Sequence, residues 1–223
     1  MFSKRKLIIY GIGKFAEYVS YSFNNDSEYE VVAHCIESEF FKKIKNYNST
    51  VPLLNFDELE KEHPPEKYYL FIAVGNDKIR ERIFLSSKKR KFQFANYISS
   101  FSINWKNLKL GRNVFISEDS AIQPFVEIED NCILIGAKIG HHSIIKKNSL
   151  LSTSVVGANV KIGENSFLGI NSGVKSNVII GSRNIIGMGS IITTNTLNNE
   201  IYSTPTAKKR NLNYEEIQNR HLM

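Results

Sequence analysis

The chain has 223 residues, room for two modest domains, and its 42% hydrophobic content is that of a soluble globular protein. Lys and Arg number 29 against 22 Asp and Glu, a net charge of +7 that points to an anionic partner, but the basic residues are scattered without interleaved aromatics, which argues against nucleic acid. Cys35 and Cys132 are too few and too isolated for a disulfide or metal framework. No stretch is apolar and long enough to span a bilayer, and Met1-Phe-Ser-Lys-Arg-Lys leads straight into a strand, so a cytosolic (cytoplasmic) protein is expected.

Lys6 to Tyr10 is a short apolar run that reads as a buried parallel strand. Gly11-Ile12-Gly13-Lys14-Phe15-Ala16 comes next, and Glu17 to Phe23 has helical spacing. Strand, glycine turn and helix in that order aim backbone N–H groups at a ready site for phosphate. The G-x-G-x-x-A pattern is weak alone. Tyr29 to Ile36 is a second strand, and Glu37 lies where dinucleotide-binding folds hold a ribose hydroxyl. Phe56 to Glu62 is a short helix broken by His63-Pro64-Pro65. Tyr68 to Val74 is another buried strand, running into Gly75-Asn76 and a helix to about Leu85 that the polar run Ser86 to Lys91 closes. Phe94 to Ile98 reads as the last strand. The alternation predicts a small parallel Rossmann-like α/β domain over residues 1–97.

Residues 98–109 are a transition, with Ile98, Ile103, Trp105 and Leu108 leading into a repetitive region. From Leu110 to Ile192 the chain counts in sixes. Ile162, Leu168, Val174, Ile180, Ile186 and Ile192 keep the beat at one end. Leu110, Ile116, Ile122, Ile128 and Leu134 keep it at the other; it slips by one residue to Ile139, Ile145 and Leu151, and again to Val156. A period of six fits neither an amphipathic helix nor an alternating strand. It fits flat-sided coils in which each hexad makes one short strand and one tight corner. The aliphatic residue points inward, and a small or β-branched residue (Ser166, Ser172, Val178, Ser190) lets the next coil stack at roughly 4.8 Å. Gly163, Asn165, Asn171, Asn177 and Gly181 suit corners that need unusual φ. Coils are therefore expected over 98–202, with Asn195 to Tyr202 as a loop leaving the last one. Residues 203–223 read as a tail, weakly helical from Tyr214 to Leu222.

The recurring hexads resemble the hexapeptide-repeat acyltransferases, which fold as left-handed parallel β-helices. With Tyr10-Gly-Ile-Gly-Lys-Phe-Ala16, Ile72-Ala-Val-Gly-Asn-Asp-Lys-Ile-Arg80, Ile139-Gly-His-His-Ser143 and Val160 to Ser172, the whole chain resembles one branch of that family. This is the group of sialic acid O-acetyltransferases and bacillosamine-type nucleotide-sugar N-acetyltransferases, which join a Rossmann-like domain to a β-helix in surface-polysaccharide and glycan biosynthesis. The Pro205-Thr-Ala-Lys-Lys209 segment resembles the family's exit from the helix.

The resemblance implies an N-terminal domain that binds a nucleotide-linked sugar, coils that bind acetyl-CoA as co-substrate, and a homotrimer with active sites between subunits. It places the catalytic base at His141. Many relatives have Asp or Glu after that histidine; here His142 stands there, which leaves open which histidine takes the proton. Substrate contacts fall at Gly11, Ile12, Gly13, Lys14, Glu37, Gly75 and Asn76.

Acetyl transfer needs a base for the attacking group and N–H donors for the tetrahedral oxyanion. The slip near Val155 to Val160 can free an N–H, and the resemblance places the oxyanion contact at the backbone around Gly157 or Ala158; the alternative is an ordinary bulge. Gly169, Gly187 and Gly189 suit close approach of a pantetheine arm, and corner sterics explain them equally well. Lys208 and Lys209 either meet the CoA phosphates or belong to a solvated tail. Adjacent residues on a strand point to opposite faces, so His141 and His142 are expected to do different jobs; the alternative is a pair of exposed corner histidines. His34, His63 and His221 read as structural or surface residues, and no cluster resembles a metal site. An N-acetyltransferase on a nucleotide-linked amino sugar is the expected function. The alternatives are a sugar O-acetyltransferase and a catalytically silent trimeric β-helix scaffold.

Overall fold

The structure, a computed structural model, describes residues 4–209 and 211. The helix expected from Tyr214 to Leu222 and His221 lie outside the described residues. The first unit is a five-stranded parallel sheet in the order β3-β2-β1-β4-β5: β1 is Arg5–Tyr10, β2 Tyr29–Ile36, β3 Leu53–Asn55, β4 Tyr69–Ile72 and β5 Gln93–Phe94. The apolar run of β1 is buried on both sides. Leu7 and Ile9 pack with helix α1 (Lys14–Asn25), while Ile8 and Tyr10 pack with Phe56, Leu59, Ile83 and Phe84. Helix α1 turns Ala16, Val19 and Phe23 inward, one stripe at i, i+3 and i+7.

Three local expectations need correction. Helix α2 (Ser38–Phe41) and β3 were not anticipated; each is too short to carry a periodic signal. Helix α3 runs from Asp77 to Lys89, so most of the polar run Ser86 to Lys91 is its last turn, where Lys88 and Lys89 complement the helix dipole. The strand expected at Phe94 to Ile98 is two strands. Gln93–Phe94 pairs with β4, whereas Tyr97–Ile98 pairs with Phe115–Ile116 and opens the coils.

The coils form a left-handed parallel β-helix with three flat faces. The first face stacks Lys109–Leu110, Glu127–Ile128, Ile144–Ile145, Lys161–Ile162 and Ile179–Ile180. The second stacks Tyr97–Ile98, Phe115–Ile116, Ile133–Ile135, Leu150–Ser152, Phe167–Leu168, Ile185–Ile186 and Ile201–Tyr202. The third stacks Ala121–Ile122, Lys138–Ile139, Val155–Val156, Gly173–Val174 and Ile191–Ile192. The six-residue beat is the core: from Ile116 to Ile192 every residue on it is buried inside the prism. Ile201–Tyr202 was expected to be loop; it instead adds a rung beside Ile185–Ile186.

Corners close with one residue in the left-handed region, most often asparagine: Asn131, Asn148, Asn165, Asn171 and Asn177 all have positive φ. Gly163 and Gly181 are corner glycines for another reason. Their φ is ordinary, but a Cβ on Gly163 would stand 2.4 Å from the Gly181 carbonyl carbon of the next coil. The two slips are shortened corners between the second and third faces, at Gly136 (φ 56) and Thr153 (φ 45). Stacked partners accordingly stand 18 residues apart from Phe115 to Ile133 but 17 from Ile133 to Leu150.

The α/β unit sits on the second face and on the edge between the first and second faces. Phe115 and Ile133 are fully buried in one cluster with Leu7, Ile9, Val19 and Phe71. Along the edge, the amides of Asn113, Asn131 and Asn148 form a ladder at 2.7 and 2.8 Å, and the Asn113 carboxamide oxygen accepts from Ile72 N at 2.8 Å. Asn165 reaches helix α3, donating to Glu81 at 3.2 Å.

Candidate active site

The strand order reverses around β1 and β4, so a crevice opens at the carboxyl ends of these strands, the usual ligand position in such sheets. Six of the seven substrate residues expected from sequence border it: Gly11 to Lys14 follow β1, and Gly75 and Asn76 follow β4. Gly11 is required by geometry, with φ 125 and a Cβ position 2.9 Å from the Ala73 carbonyl oxygen. Gly13 is the N-cap of α1 with no side-chain cap, and a Cβ there would meet nothing within 4 Å. The first turn of α1 thus offers bare N–H donors beside open space. Lys14 pairs with Glu17 at 2.7 Å, and the Asn76 side chain caps α3 at Ile79 N.

Glu37, the seventh, follows β2, and its carboxylate is already engaged. Arg82 of α3 grips both its oxygens, and the Tyr10 hydroxyl donates to Oε2 at 3.1 Å. The hydrogen bonds from Arg82 hold the Glu37 carboxyl below the usual range, while burial, together with Glu37, pushes the Tyr10 phenol up.

His141 and His142 occupy the corner between the third and first faces, after strand Lys138–Ile139. Both are exposed. The expectation that they point to opposite faces is wrong: they are corner residues, not strand residues, and His142 has φ 60. Strand alternation therefore does not apply, and the two rings meet edge to face with Nδ1 to Nδ1 at 2.9 Å. The preceding coil supports both. Gln123 Oε1 accepts from His141 N at 2.9 Å, the Pro124 carbonyl accepts from His142 N at 3.2 Å, and the Phe125 ring lies 4.7 Å from that of His142.

Gly157 and Ala158 form the same corner one coil on. A Cβ on Gly140 would stand 2.5 Å from Ala158 N, so small residues bring these coils together. Neither N–H is freed by the slip, which lies a corner earlier at Thr153. Gly157 N donates to Val174 O at 2.8 Å and Ala158 N to Ser176 Oγ at 3.0 Å. Beside the histidines a groove of about 290 Å³ runs over the third face, lined by Gln123, Gly140, Val155, Gly157 and Ala158. Gly169, Gly187 and Gly189 lie on the far edge of that face. The first two are fixed by coil stacking, since a Cβ on either meets backbone at 2.9 Å, and Gly189 by its φ of 71. Lys208 is exposed beyond the last rung.

The histidine edge is the one edge of the prism that the second face does not touch. The α/β crevice and the histidines of one chain therefore lie on opposite sides of the coils. A second cleft, of about 420 Å³, opens between the β4–α3 turn and the second face, lined by Gly75, Asn76, Asn165, Phe167, Arg183 and Ile185. Gln123, Arg80, Arg82 and Phe125 were missed from sequence. Only Phe125, an aromatic at a corner position that asparagine fills in the later coils (Asn159, Asn177), left a signal that could have been read.

A parallel α/β unit is thus seated on a left-handed β-helix, with a histidine pair on the edge that the second face does not touch. Residues 6–86 match the family described as PglD N-terminal domain, and residues 97–202 match the one described as GMPPB C-terminal domain. Among solved structures it is similar to the acetyltransferase domain of PglB from Neisseria gonorrhoeae FA1090 in complex with acetyl coenzyme A: 18% identity, 89% of this chain and 95% of that one, TM-score 0.81. PerB from Caulobacter crescentus in complex with CoA and GDP-perosamine shares 22% identity over 88% of this chain and 92% of that one, TM-score 0.77. WeeI from Acinetobacter baumannii AYE shares 16% identity over 89% and 97%, TM-score 0.73.

Proposed function

We propose that the protein is an acetyl-CoA-dependent N-acetyltransferase acting on a nucleotide-linked amino sugar in cytoplasmic glycan biosynthesis, and that it works as a homotrimer. The observation that carries the reading is the exposed, mutually hydrogen-bonded histidine pair beside a groove that has Gly140, Gly157 and Ala158 in its lining. Nothing in coil packing asks for two imidazoles there. The PglB and PerB structures, bound to acetyl coenzyme A and to CoA with GDP-perosamine, support the choice of co-substrate and acceptor.

In the proposed reaction the acceptor amine attacks the thioester carbonyl carbon, and the C–S bond breaks as the amide C–N bond forms. The proton leaving nitrogen passes to His141 Nε2 and from there to the departing CoA sulfur. General-base help of this kind is worth about 10² to 10⁴ in rate. The groove beside His141 receives the thioester, with Gly157 and Ala158 as its floor. The loops Gly11 to Lys14 and Gly75-Asn76 receive the nucleotide diphosphate. Because crevice and histidines of one chain face opposite ways, the active site is completed between neighbouring subunits.

Steady-state turnover with acetyl-CoA and a panel of nucleotide-linked amino and hydroxyl sugars tests the reading. Amide formation on an amino sugar is the expected result. Transfer only to hydroxyls would make the protein an O-acetyltransferase, and no turnover with any acceptor would reject an acetyltransferase.

A further inference from the structure

The third residue of each corner on the histidine edge is, in successive coils, Phe125, His142, Asn159 and Asn177. All four have left-handed φ between 56 and 67. Asparagine tolerates that conformation, whereas a bulky aromatic seldom adopts it. Burial does not explain Phe125, which is 61% exposed. Its ring instead lies against His142, with centroids 4.7 Å apart and planes tilted by 34°. The preceding coil therefore supports the pair three times over, through the Gln123 side chain, the Pro124 carbonyl and the Phe125 ring.

We infer that Phe125 is a positioning residue: it seats the His142 ring so that His142 Nδ1 serves as hydrogen-bond acceptor for His141 Nδ1–H. The inference rests on the reading of His141 as the base. Of two imidazole nitrogens 2.9 Å apart, one donates and the other accepts. If His142 donated, His141 would carry its proton on Nε2 and could not take one there. A working base needs the other arrangement, with His141 protonated on Nδ1 and His142 on Nε2. A neutral imidazole held this way does the orienting work that an acidic neighbour does in other histidine bases.

The test replaces Phe125 by the residue that later coils use. Phe125→Asn should leave the melting temperature unchanged or raise it, because asparagine suits the φ. Its kcat should nonetheless fall about tenfold, part of a general-base contribution, with the acetyl-CoA KM unchanged. Phe125→Trp should restore kcat. In long-range 1H–15N spectra of histidine-labelled protein, with both rings neutral, wild-type His141 should show the Nδ1–H form, and Phe125→Asn should shift it toward Nε2–H. A wild-type His141 in the Nε2–H form, or a Phe125→Asn protein with unchanged tautomer, overturns the inference. The spectra are independent of turnover: expected tautomers in a protein that acetylates nothing would uphold the positioning and reject the proposed function instead.

Discussion

Arg80 Nη2 donates to the Asn148 carbonyl oxygen at 2.6 Å, a bond from the α/β unit into the coils. Arg80 is fully buried, and its other bonds go to the carbonyls of Asn131, Val74 and Gly75. Burial lowers its pKa to about 10, so it stays charged at neutral pH. It fastens the β4–α3 turn, which borders the crevice, to the asparagine edge. Replacing Arg80 with Met would leave carbonyls of both units without a partner, at about 1–3 kcal/mol for each group that water cannot reach. Arg80→Met should therefore lower the urea midpoint clearly and raise the acceptor KM, with Arg80→Lys between. A midpoint equal to wild type would show that the fork does not hold the units together.

The two glycines after β1 should separate folding from binding. Gly11→Ala forces a left-handed φ on a side chain already crowded by the Ala73 carbonyl oxygen, and should destabilise by about 1–3 kcal/mol. Gly13→Val places its Cβ in open space, so the melting temperature should hardly move. If the crevice takes the acceptor's phosphates, Gly13→Val should raise the acceptor KM and spare that of acetyl-CoA. Equal loss for both substrates would sink the assignment of the crevice.

His34 is held inside the α/β unit. Ser20 Oγ donates to the Ala16 carbonyl, so His34 Nε2 donates to Ser20 and its Nδ1 accepts from the Tyr47 hydroxyl. Burial lowers the His34 pKa from the ordinary 6.5. The folded state thus binds this proton less well than the unfolded state. The contribution is whole above about pH 6.5 and declines as pH falls from there toward the depressed folded value. Glu37 and Glu60, also lowered, lose their contributions only below the ordinary 4.5, so they do not act just below pH 6.5. Melting curves should show stability falling just below pH 6.5 in wild type and flat there in His34→Gln. The same slope in both would remove His34 as its source.

The six-residue beat was legible because every inward position of a coil must be filled by an aliphatic side chain, and the slips were visible as missing residues. The rest was hidden for physical reasons. Arg80 sits in a charged helical run that reads as solvated, and its partners Asn131 and Asn148 lie 51 and 68 residues away. Glu37 was legible by position at the end of β2, but nothing near it in the chain announced Arg82, which lies 45 residues on. The histidines were expected to point to opposite faces as strand neighbours do, with exposed corner residues as the alternative. Their contact comes from the corner conformation of His142, which alternation along a strand does not describe.

Assembly is argued by the apolar surface that the α/β unit leaves uncovered. On the second face it buries Phe115 and Ile133, while Phe167, Ile185 and Ile201 continue the same column in the open. Val155 and Ile191 do likewise on the third face. Contiguous apolar strips of this kind call for a partner surface. Sedimentation at micromolar concentration should give a trimer. Ile185→Asp combined with Ile191→Asp should give a folded monomer with lost turnover, because crevice and histidines of one chain cannot meet. A wild-type monomer with full activity would refute both the assembly and the shared site.

The sharpest separation of roles falls on the histidines themselves. An amino sugar's amine must shed a proton as it bonds to carbon, and His141 is the ring whose Nε2 is left free when the Nδ1 bond to His142 holds it. His141→Ala removes the acceptor and should cut kcat by about 10² to 10⁴ while acetyl-CoA still binds. His142→Ala removes only the partner of Nδ1, which water can replace at this exposed corner, and should cost markedly less. His142→Glu, which supplies an anionic acceptor at the same place, should recover most of that loss. Neither ring is needed for packing, so all three variants should melt with the wild type. If His142→Ala is the inactive protein and His141→Ala the active one, the base is His142 and the roles are reversed; full rate in both would rule histidine catalysis out.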